Sequence, residues 1–112
     1  MRACTNDQIF GPVVSIGKFS TEEEALALAN NTTFGLAAAV HTNDAKQAFR
    51  VTSALVAGTV WCNQYGMLHT GVPFGGFKMS GVGRELGTAG LDGYLQIKSV
   101  HHNLTQTMEW PI

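Results

Sequence analysis

Short apolar runs and helical spacings alternate along the first half of the chain. Residues 9–19 are rich in β-branched and aromatic side chains, as expected of a strand. Ser20 with Glu23, or Thr21 with Glu24, has the capping-box spacing that predicts a helix start. A second apolar run at residues 36–40 precedes a helix through roughly Leu55, and a third strand is predicted at residues 59–62. This order predicts an α/β fold with a three-stranded parallel βαβαβ layer.

Glycine dominates residues 73–87, which contain five of the thirteen glycines of the chain. Their irregular spacing, with phenylalanines among them, predicts a fixed loop rather than a flexible linker. Residues 84–94 predict a short helix, and residues 95–104 predict a last strand. We therefore expect a single domain over residues 1–112, with a βαβαβ layer at 1–63, loops and a short helix at 64–94, and a strand with a tail at 95–112.

The composition limits the possible partners. Only 13% of the residues are charged, against about a quarter in an average soluble domain, so we expect a second copy, a partner or a further domain to cover part of the surface. A net charge of −1 without a basic run argues against nucleic-acid binding. No apolar stretch approaches the ~20 residues that a membrane-spanning helix needs.

The cysteines and histidines suggest no disulfide and no metal site. Cys4 and Cys62 lie far apart without a paired-cysteine motif, which predicts reduced thiols in a cytoplasmic protein. The four histidines have no metal-ligand spacing. We therefore expect no bound metal.

Three side chains are candidates for acid–base or nucleophilic chemistry. Cys62 ends a predicted strand, where the sites of α/β proteins gather, but a thiol needs a base or a cation to become a nucleophile. A buried, inert cysteine is the alternative. His69 is either an acid–base group or a loop residue packed on an apolar wall. Glu85, beside Arg84, is either an acid–base group or part of the capping and ion pairing at a helix start.

A self-contained nucleotide site is not predicted, although the strand–helix order resembles half of a dinucleotide fold. The turn after the first predicted strand lacks the Gly-x-Gly-x-x-Gly pattern that brings backbone close to a pyrophosphate. The first helix begins with Glu22, Glu23 and Glu24, which would repel a phosphate from the helix terminus.

Several motifs in order resemble the C-terminal quarter of the aldehyde dehydrogenase superfamily. They are Ile-Phe-Gly-Pro-Val at residues 9–13, Asn-Thr-Thr-Phe-Gly-Leu at 31–36, Gly-Thr-Val-Trp at 58–61, Pro-Phe-Gly-Gly-Phe-Lys-Met-Ser-Gly at 73–81, Gly-Arg-Glu-Leu-Gly at 83–87 and Ile-Lys-Ser-Val at 97–100. The resemblance extends over nearly the whole chain up to His102.

The resemblance implies a truncated protein. In the family the Rossmann domain, the nucleophilic cysteine, the oxyanion-binding asparagine and the general-base glutamate all precede this region. Cys62 does not match the family's nucleophile, because it stands inside the Gly-Thr-Val-Trp-x-Asn strand. The full-length family uses NAD(P), but we expect no cofactor for this chain alone, since hydride transfer needs a bound cofactor and a thiohemiacetal.

Some of the family's binding positions are nevertheless present. Gln8 stands where the family has a glutamate that binds the nicotinamide ribose, so the charged hydrogen bond would be lost. Phe10 matches the phenylalanine beside the nicotinamide. Residues 95–102 match the strand that adds to a neighbouring subunit's sheet, so we expect a homodimer or higher oligomer. The predicted substrate pocket is lined by Trp61, Met67, Leu68 and Phe74.

Three functions follow as hypotheses. The first is a truncated aldehyde dehydrogenase-like protein that does not oxidise aldehydes alone. The second is a small cofactor-independent enzyme, an isomerase, cyclase or aldol-type catalyst, that acts on an aldehyde-type metabolite through His69, Cys62 or Glu85. The third is a non-catalytic module that joins full-length family members through its last strand.

Overall fold

The computed structural model describes residues 9–105 of the chain. That part is an α/β arrangement, as the sequence predicts. In chain order its elements are α1 (Glu22–Asn30), β1 (Phe34–Gly35), β2 (Ala37–Val40), α2 (Ala45–Ala54), β3 (Thr59–Cys62), β4 (Phe77–Lys78) and a 3₁₀ helix (Thr88–Gly93).

The strand–helix–strand unit β2–α2–β3 is present as the sequence predicts. The two strands are parallel, with their register running from Ala37 opposite Thr59 to Val40 opposite Cys62. The helix between them begins where the Asp44 carboxylate accepts hydrogen bonds from the second and third backbone N–H groups of α2, at 2.8 and 3.3 Å. Such a side-chain cap satisfies donors that have no partner within the helix.

A second, antiparallel pair is formed by β1 and β4. Phe34 lies opposite Lys78, and Gly35 lies opposite Phe77. This pair attaches the glycine-rich residues 73–87 to the segment that follows α1.

Side chains fix both ends of α1. One half of a capping box is present at Thr21, whose hydroxyl accepts from the Glu24 N–H at 3.2 Å. The Glu24 carboxylate accepts from the N–H of Ser20, one residue before the cap, at 2.8 Å. At the other end, the Asn30 amide donates to a carbonyl at the end of α2 at 2.9 Å, and its oxygen accepts from the Val56 N–H at 2.8 Å. These bonds hold the C-terminal ends of the two helices together.

Little of the apolar surface is buried within the chain. Among the described residues, Trp61, at 8% exposure, is the only buried hydrophobic side chain, whereas Phe10, Val82 and Ile97 are almost fully exposed. The radius of gyration is 21.8 Å, against about 13 Å for a compact domain of this length. The chain therefore leaves apolar faces without cover.

Two predicted strands are absent from the described structure. Neither residues 9–19 nor residues 95–104 form a strand, so the parallel layer has two strands rather than the predicted three. A strand needs backbone hydrogen bonds to a neighbouring strand, and within residues 9–105 these segments pair with none. Of the tail predicted at residues 105–112, all but the first residue lies outside the described residues.

The short helix predicted at residues 84–94 begins later. It is the 3₁₀ helix, whose first residue is Thr88. The Glu85 backbone is instead paired with Phe74, and Leu86 and Gly87 have φ angles of +62° and +56°, which no right-handed helix allows.

No helix in residues 9–105 has the length and hydropathy to cross a membrane. The same residues contain no group of three or more histidine, cysteine, aspartate or glutamate side chains placed to hold a metal ion.

Candidate functional site

The glycine-rich stretch, residues 73–87, is closed by its own backbone. Phe74 and Glu85 exchange two hydrogen bonds, N–H to carbonyl oxygen, at 2.7 and 2.8 Å. Inside this loop the Arg84 guanidinium donates to the carbonyl oxygens of Gly76 at 3.1 Å and Gly83 at 2.6 Å, and its central carbon lies 5.3 Å from the centre of the Phe77 ring. Arg84 therefore holds the loop together from within, by hydrogen bonds and a cation–π contact.

Two glycines allow this loop to lie directly against the start of β3. A Cβ atom on Gly58 would fall 1.7 Å from the carbonyl oxygen of Gly75. A Cβ atom on Gly75 would fall 2.7 Å from the Arg84 side chain. Glycine is required at both positions because of this close approach rather than because of flexibility.

The loop is also bonded to the end of α1. The Lys78 ammonium donates to the carbonyl oxygens of Asn30 and Thr32, each at 3.0 Å. The Ser80 hydroxyl accepts from the Gly35 N–H at 2.9 Å. A cation on the last carbonyls of a helix also interacts favourably with the helix dipole.

Trp61 positions the loop at residues 64–72. Its indole N–H donates to the Met67 carbonyl oxygen at 2.8 Å, and its ring meets the edge of Tyr65 with centroids 4.9 Å apart. The Met67 and Leu68 side chains are exposed. Of the predicted pocket residues, Trp61 is thus buried beneath the loop, while Met67 and Leu68 face outward.

The structure does not gather the three candidate acid–base residues around one cavity. Cys62 is a half-buried free thiol at the end of β3. His69 is exposed, and its Nδ1 accepts from the Gly71 N–H at 3.1 Å, which leaves Nε2 to carry the proton of the neutral ring. Glu85 lines an open groove of about 1130 Å³ together with Phe74, whereas neither Cys62 nor His69 lines it.

Acidic or capping side chains stand at the N-termini of both α-helices of the described chain. The first turn of α1 holds three glutamates, and the Thr21 hydroxyl already occupies one of its N–H groups. The Asp44 carboxylate occupies the N-terminus of α2. Acidic side chains at the N-terminus of a helix disfavour a phosphate there. Phe10, the predicted nicotinamide neighbour, is 97% exposed, and Gln8 lies outside the described residues.

Sequence reasoning missed an ion pair that joins the two helices. Glu22 accepts from the Arg50 guanidinium at 2.5 and 2.7 Å and from the Gln47 amide at 3.1 Å. The hydrogen bond from Arg50, assisted by that from Gln47, lowers the pKa of Glu22 from 4.5 to about 2. The partners are 28 positions apart, so no local spacing rule could have indicated the pair.

Comparison with known proteins gives consistent matches over most of the chain. Residues 1–100 match the model of the aldehyde dehydrogenase family. An aldehyde dehydrogenase of Emericella nidulans is 57% identical over 98 residues, which is 88% of this chain. Betaine aldehyde dehydrogenase of Staphylococcus aureus, solved with NAD+, superposes with a TM-score of 0.83 at 40% identity over 93% of this chain. An aldehyde dehydrogenase of Bacillus cereus, also solved with NAD+, gives 0.85 at 47% identity over 89%.

The matched region is a small part of each relative. The chain spans 20% of the Emericella nidulans protein, 22% of the Staphylococcus aureus chain and 20% of the Bacillus cereus chain.

Proposed function

Because this chain belongs to the aldehyde dehydrogenase family, we propose that it forms the glycine-loop and assembly portion of an enzyme that oxidises aldehydes to acids with NAD(P). The 112 residues do not carry out this oxidation by themselves. The observation that carries the proposal is the uncovered apolar surface of a fold that superposes on one fifth of much larger enzymes.

The uncovered surface can be given a size. The accessible surface of the chain is 9992 Å², whereas a compact monomer of 12.0 kDa exposes about 6000 Å². The excess, of the order of 4000 Å² on this chain alone, is more than one partner contributes to an obligate interface of about 2000–5000 Å² counted over both partners. A surface of this size supports the proposal that another polypeptide segment or subunit covers these residues in the functional protein.

The chemistry of the described residues supports the same proposal. Hydride transfer from an aldehyde needs an activated nucleophile and a bound nicotinamide. The thiol at Cys62 lies outside the groove lined by Glu85, and the helix ends are occupied by the chain's own side chains. These residues are arranged as a scaffold that could line a substrate path, not as a complete reaction centre.

We further propose that the chain assembles into a homodimer or higher oligomer through residues 95–104. These residues lie outside every helix and strand of the described structure, and Ile97 and Leu104 are almost fully exposed. An apolar segment that pairs with no strand of its own chain is suited to add to the sheet of a second subunit. We propose the cytoplasm as its location, because the two cysteines of the chain lie far apart without a paired-cysteine motif, as expected of reduced thiols.

Calorimetry and an aldehyde oxidation assay test the central proposal. The purified 112-residue chain should give no saturable NAD+ or NADP+ isotherm and should form no NADH or NADPH from acetaldehyde. Size-exclusion chromatography with light scattering should give a dimer or larger species at micromolar concentration. A saturable cofactor isotherm with turnover would refute the proposal that the chain is catalytically incomplete, and a clean monomer would refute the assembly.

A second candidate function is favoured by the open groove beside Phe74 and Glu85. A cofactor-independent enzyme acting on a small aldehyde-type metabolite would place its substrate there, with Glu85 as the acid–base group. Glu85→Gln should then abolish any activity found, while Cys62→Ala and His69→Ala, which alter residues outside the groove, should retain it. Full activity in Glu85→Gln would exclude this groove as the site.

A further inference from the structure

We propose that Lys78 is an acylation site, and that transfer of an acyl group from a thioester to its Nζ loosens the attachment of residues 73–87 to α1. This control of the loop is separate from the oxidation proposed above. The inference rests on two hydrogen bonds from the Lys78 ammonium, to the carbonyl oxygens of Asn30 and Thr32, each at 3.0 Å.

The C-terminal end of α1 has no cation of its own. The first turn of this helix holds three glutamates, whereas its last turn contains no basic residue. The last carbonyl groups of a helix lack partners within the helix and form the negative end of its dipole. The Lys78 ammonium, 48 positions beyond Asn30 in the chain, supplies both the missing donors and the positive charge.

The backbone of Lys78 has a conformation that favours glycine. Lys78 is the second residue of a turn closed by a 3.0 Å bond from the Ser80 N–H to the Phe77 carbonyl oxygen, and its φ angle is +53°. A residue with a Cβ atom is less stable than glycine at such a φ. The two bonds of the ammonium offset that cost, which explains a lysine at this position.

Few other hydrogen bonds hold the loop to the segment that follows α1. Besides the two-residue pairing of β1 and β4, the Met79 N–H donates to the Thr33 carbonyl oxygen at 3.0 Å, and the Gly35 N–H donates to the Ser80 hydroxyl at 2.9 Å. The loop itself is closed separately, by its own backbone pair. Loss of the Lys78 bonds should therefore weaken this junction without opening the loop.

Acylation removes what the contact requires. After Nζ gives up a proton to solvent, it attacks the carbonyl carbon of the thioester; an N–C bond forms, the C–S bond breaks, and the sulfur leaves as a thiol. The amide product is neutral and keeps a single N–H. It can donate to only one of the two carbonyl oxygens and has no charge to interact with the helix dipole. Lys78 is exposed in the described structure, so an acyl donor can reach it.

Competitive acetylation of the complete 112-residue chain tests whether Lys78 is such a site. The reagent is acetyl-CoA at mildly alkaline pH, and peptide mass spectrometry follows each lysine. Lys46 is the reference, because it is exposed and its side chain makes no hydrogen bond or ion pair within residues 9–105. Lys78 should react about threefold to tenfold more slowly than Lys46 in the folded chain, and at the same rate in urea.

Two results of this labelling would overturn the proposal. Equal rates in the folded chain would show that the ammonium of Lys78 is not held by the carbonyl groups. No acetylation of Lys78 in the folded chain would show that it is not an acylation site.

Hydrogen exchange followed by NMR tests the effect on the loop. The original chain is compared with a chain that carries acetyl-lysine at position 78. The Met79 and Gly35 amides, which bond across the junction, should exchange at least about fivefold faster after acetylation. The Phe74 and Glu85 amides, which bond within the loop, are the internal control and should change by less than about twofold.

Two substitutions separate the charge of Lys78 from the length of its side chain. Both keep a Cβ atom at the positive φ, so the backbone cost is matched. Lys78→Arg keeps a cation with several donors and should leave the exchange of Met79 and Gly35 within about threefold of the original. Lys78→Met is neutral and of similar length, and should reproduce the effect of acetylation.

The pattern of exchange decides the proposal. Unchanged exchange at Met79 and Gly35 in the acetylated chain would refute the effect on the junction. Equal acceleration at Phe74 and Glu85 would also refute it, because the loop itself would then have opened. If Lys78→Arg accelerated exchange as much as Lys78→Met, the charge would not be what holds the junction, and control by acylation would be wrong.

Discussion

Replacing Gly58 by alanine perturbs the closest approach between the glycine-rich loop and β3. The added Cβ would lie 1.7 Å from the Gly75 carbonyl oxygen, and an ordinary non-bonded contact would require the two to separate by roughly 1.5–2 Å. Backbone cannot rotate away as a side chain can. The movement therefore displaces the loop from β3 and endangers the 2.9 Å bond from the Gly58 N–H to the Gly35 oxygen.

The expected loss follows from these two effects. Overpacking of this kind costs about 1–3 kcal/mol, and a lost backbone hydrogen bond adds about 1 kcal/mol. We expect the free energy of unfolding to fall by about 2–4 kcal/mol. Urea unfolding measures it, followed by Trp61 fluorescence in a Trp110→Phe background at one fixed protein concentration, since self-association would otherwise shift the midpoint.

Gly93→Ala is the matched control. A Cβ on Gly93 would meet no atom within 4 Å, so this variant should change the stability by less than about 0.5 kcal/mol. If Gly58→Ala were as stable as Gly93→Ala, the loop would not rest against β3 as described, and the argument from close approach would be wrong.

Three further substitutions test individual side chains. Glu22→Gln should lower the free energy of unfolding above pH 4.5, and its difference from the original chain should shrink as the pH falls from 4.5 toward 2, because the pKa of Glu22 is lowered to about 2 in the folded state. Glu23→Gln is the charge-matched control. If the free energy of unfolding of Glu22→Gln ran parallel to that of the original chain over this pH range, the stabilising effect of the pair would be refuted. Thr59→Val should raise the free energy of unfolding by about 1 kcal/mol in urea, since the Thr59 hydroxyl is buried without a hydrogen-bond partner. A loss of stability would show that the hydroxyl makes a hydrogen bond. Asn63→Ala should cost about 1 kcal/mol more than Asn63→Gly in the same assay, because φ at Asn63 is +56°. Both variants lose the two side-chain bonds to Thr42, so equal costs would show that the positive φ carries no strain for a residue with a Cβ.

The sequence predicted the β2–α2–β3 unit well because its signals are local. Asp44 caps α2 and the apolar residues of that helix repeat at helical spacing, so both could be recognised within a few positions. The segment at residues 9–19 has equally strong strand composition but forms no strand. Strand composition describes a segment's suitability for a sheet, whereas the neighbouring edge is a property of the rest of the fold.

The candidate site was less predictable for the same reason. The bonds from Lys78 and Asn30 join residues separated by more than 20 positions, and the positive φ of Leu86 occurs at a residue that rarely adopts it. Local spacing therefore indicated that residues 73–87 are fixed, but it could not show that Arg84 closes the loop or that the helix predicted from residue 84 starts four positions later.

The two strand pairs differ in how much chain they enclose, and this difference bears on the order of folding. Pairing of Ala37 with Thr59 closes a loop about half as long as pairing of Phe34 with Lys78, and each doubling of loop length adds about 0.6 kcal/mol of closure entropy. The β2–α2–β3 unit should therefore form before residues 73–87 attach to it. Pulse-labelling hydrogen exchange should detect early protection at Trp61 and later protection at Phe74 and Glu85, and the reverse order would contradict this sequence of events. Of these two strand pairs, the one that anchors the glycine-rich stretch would then be the later to become ordered.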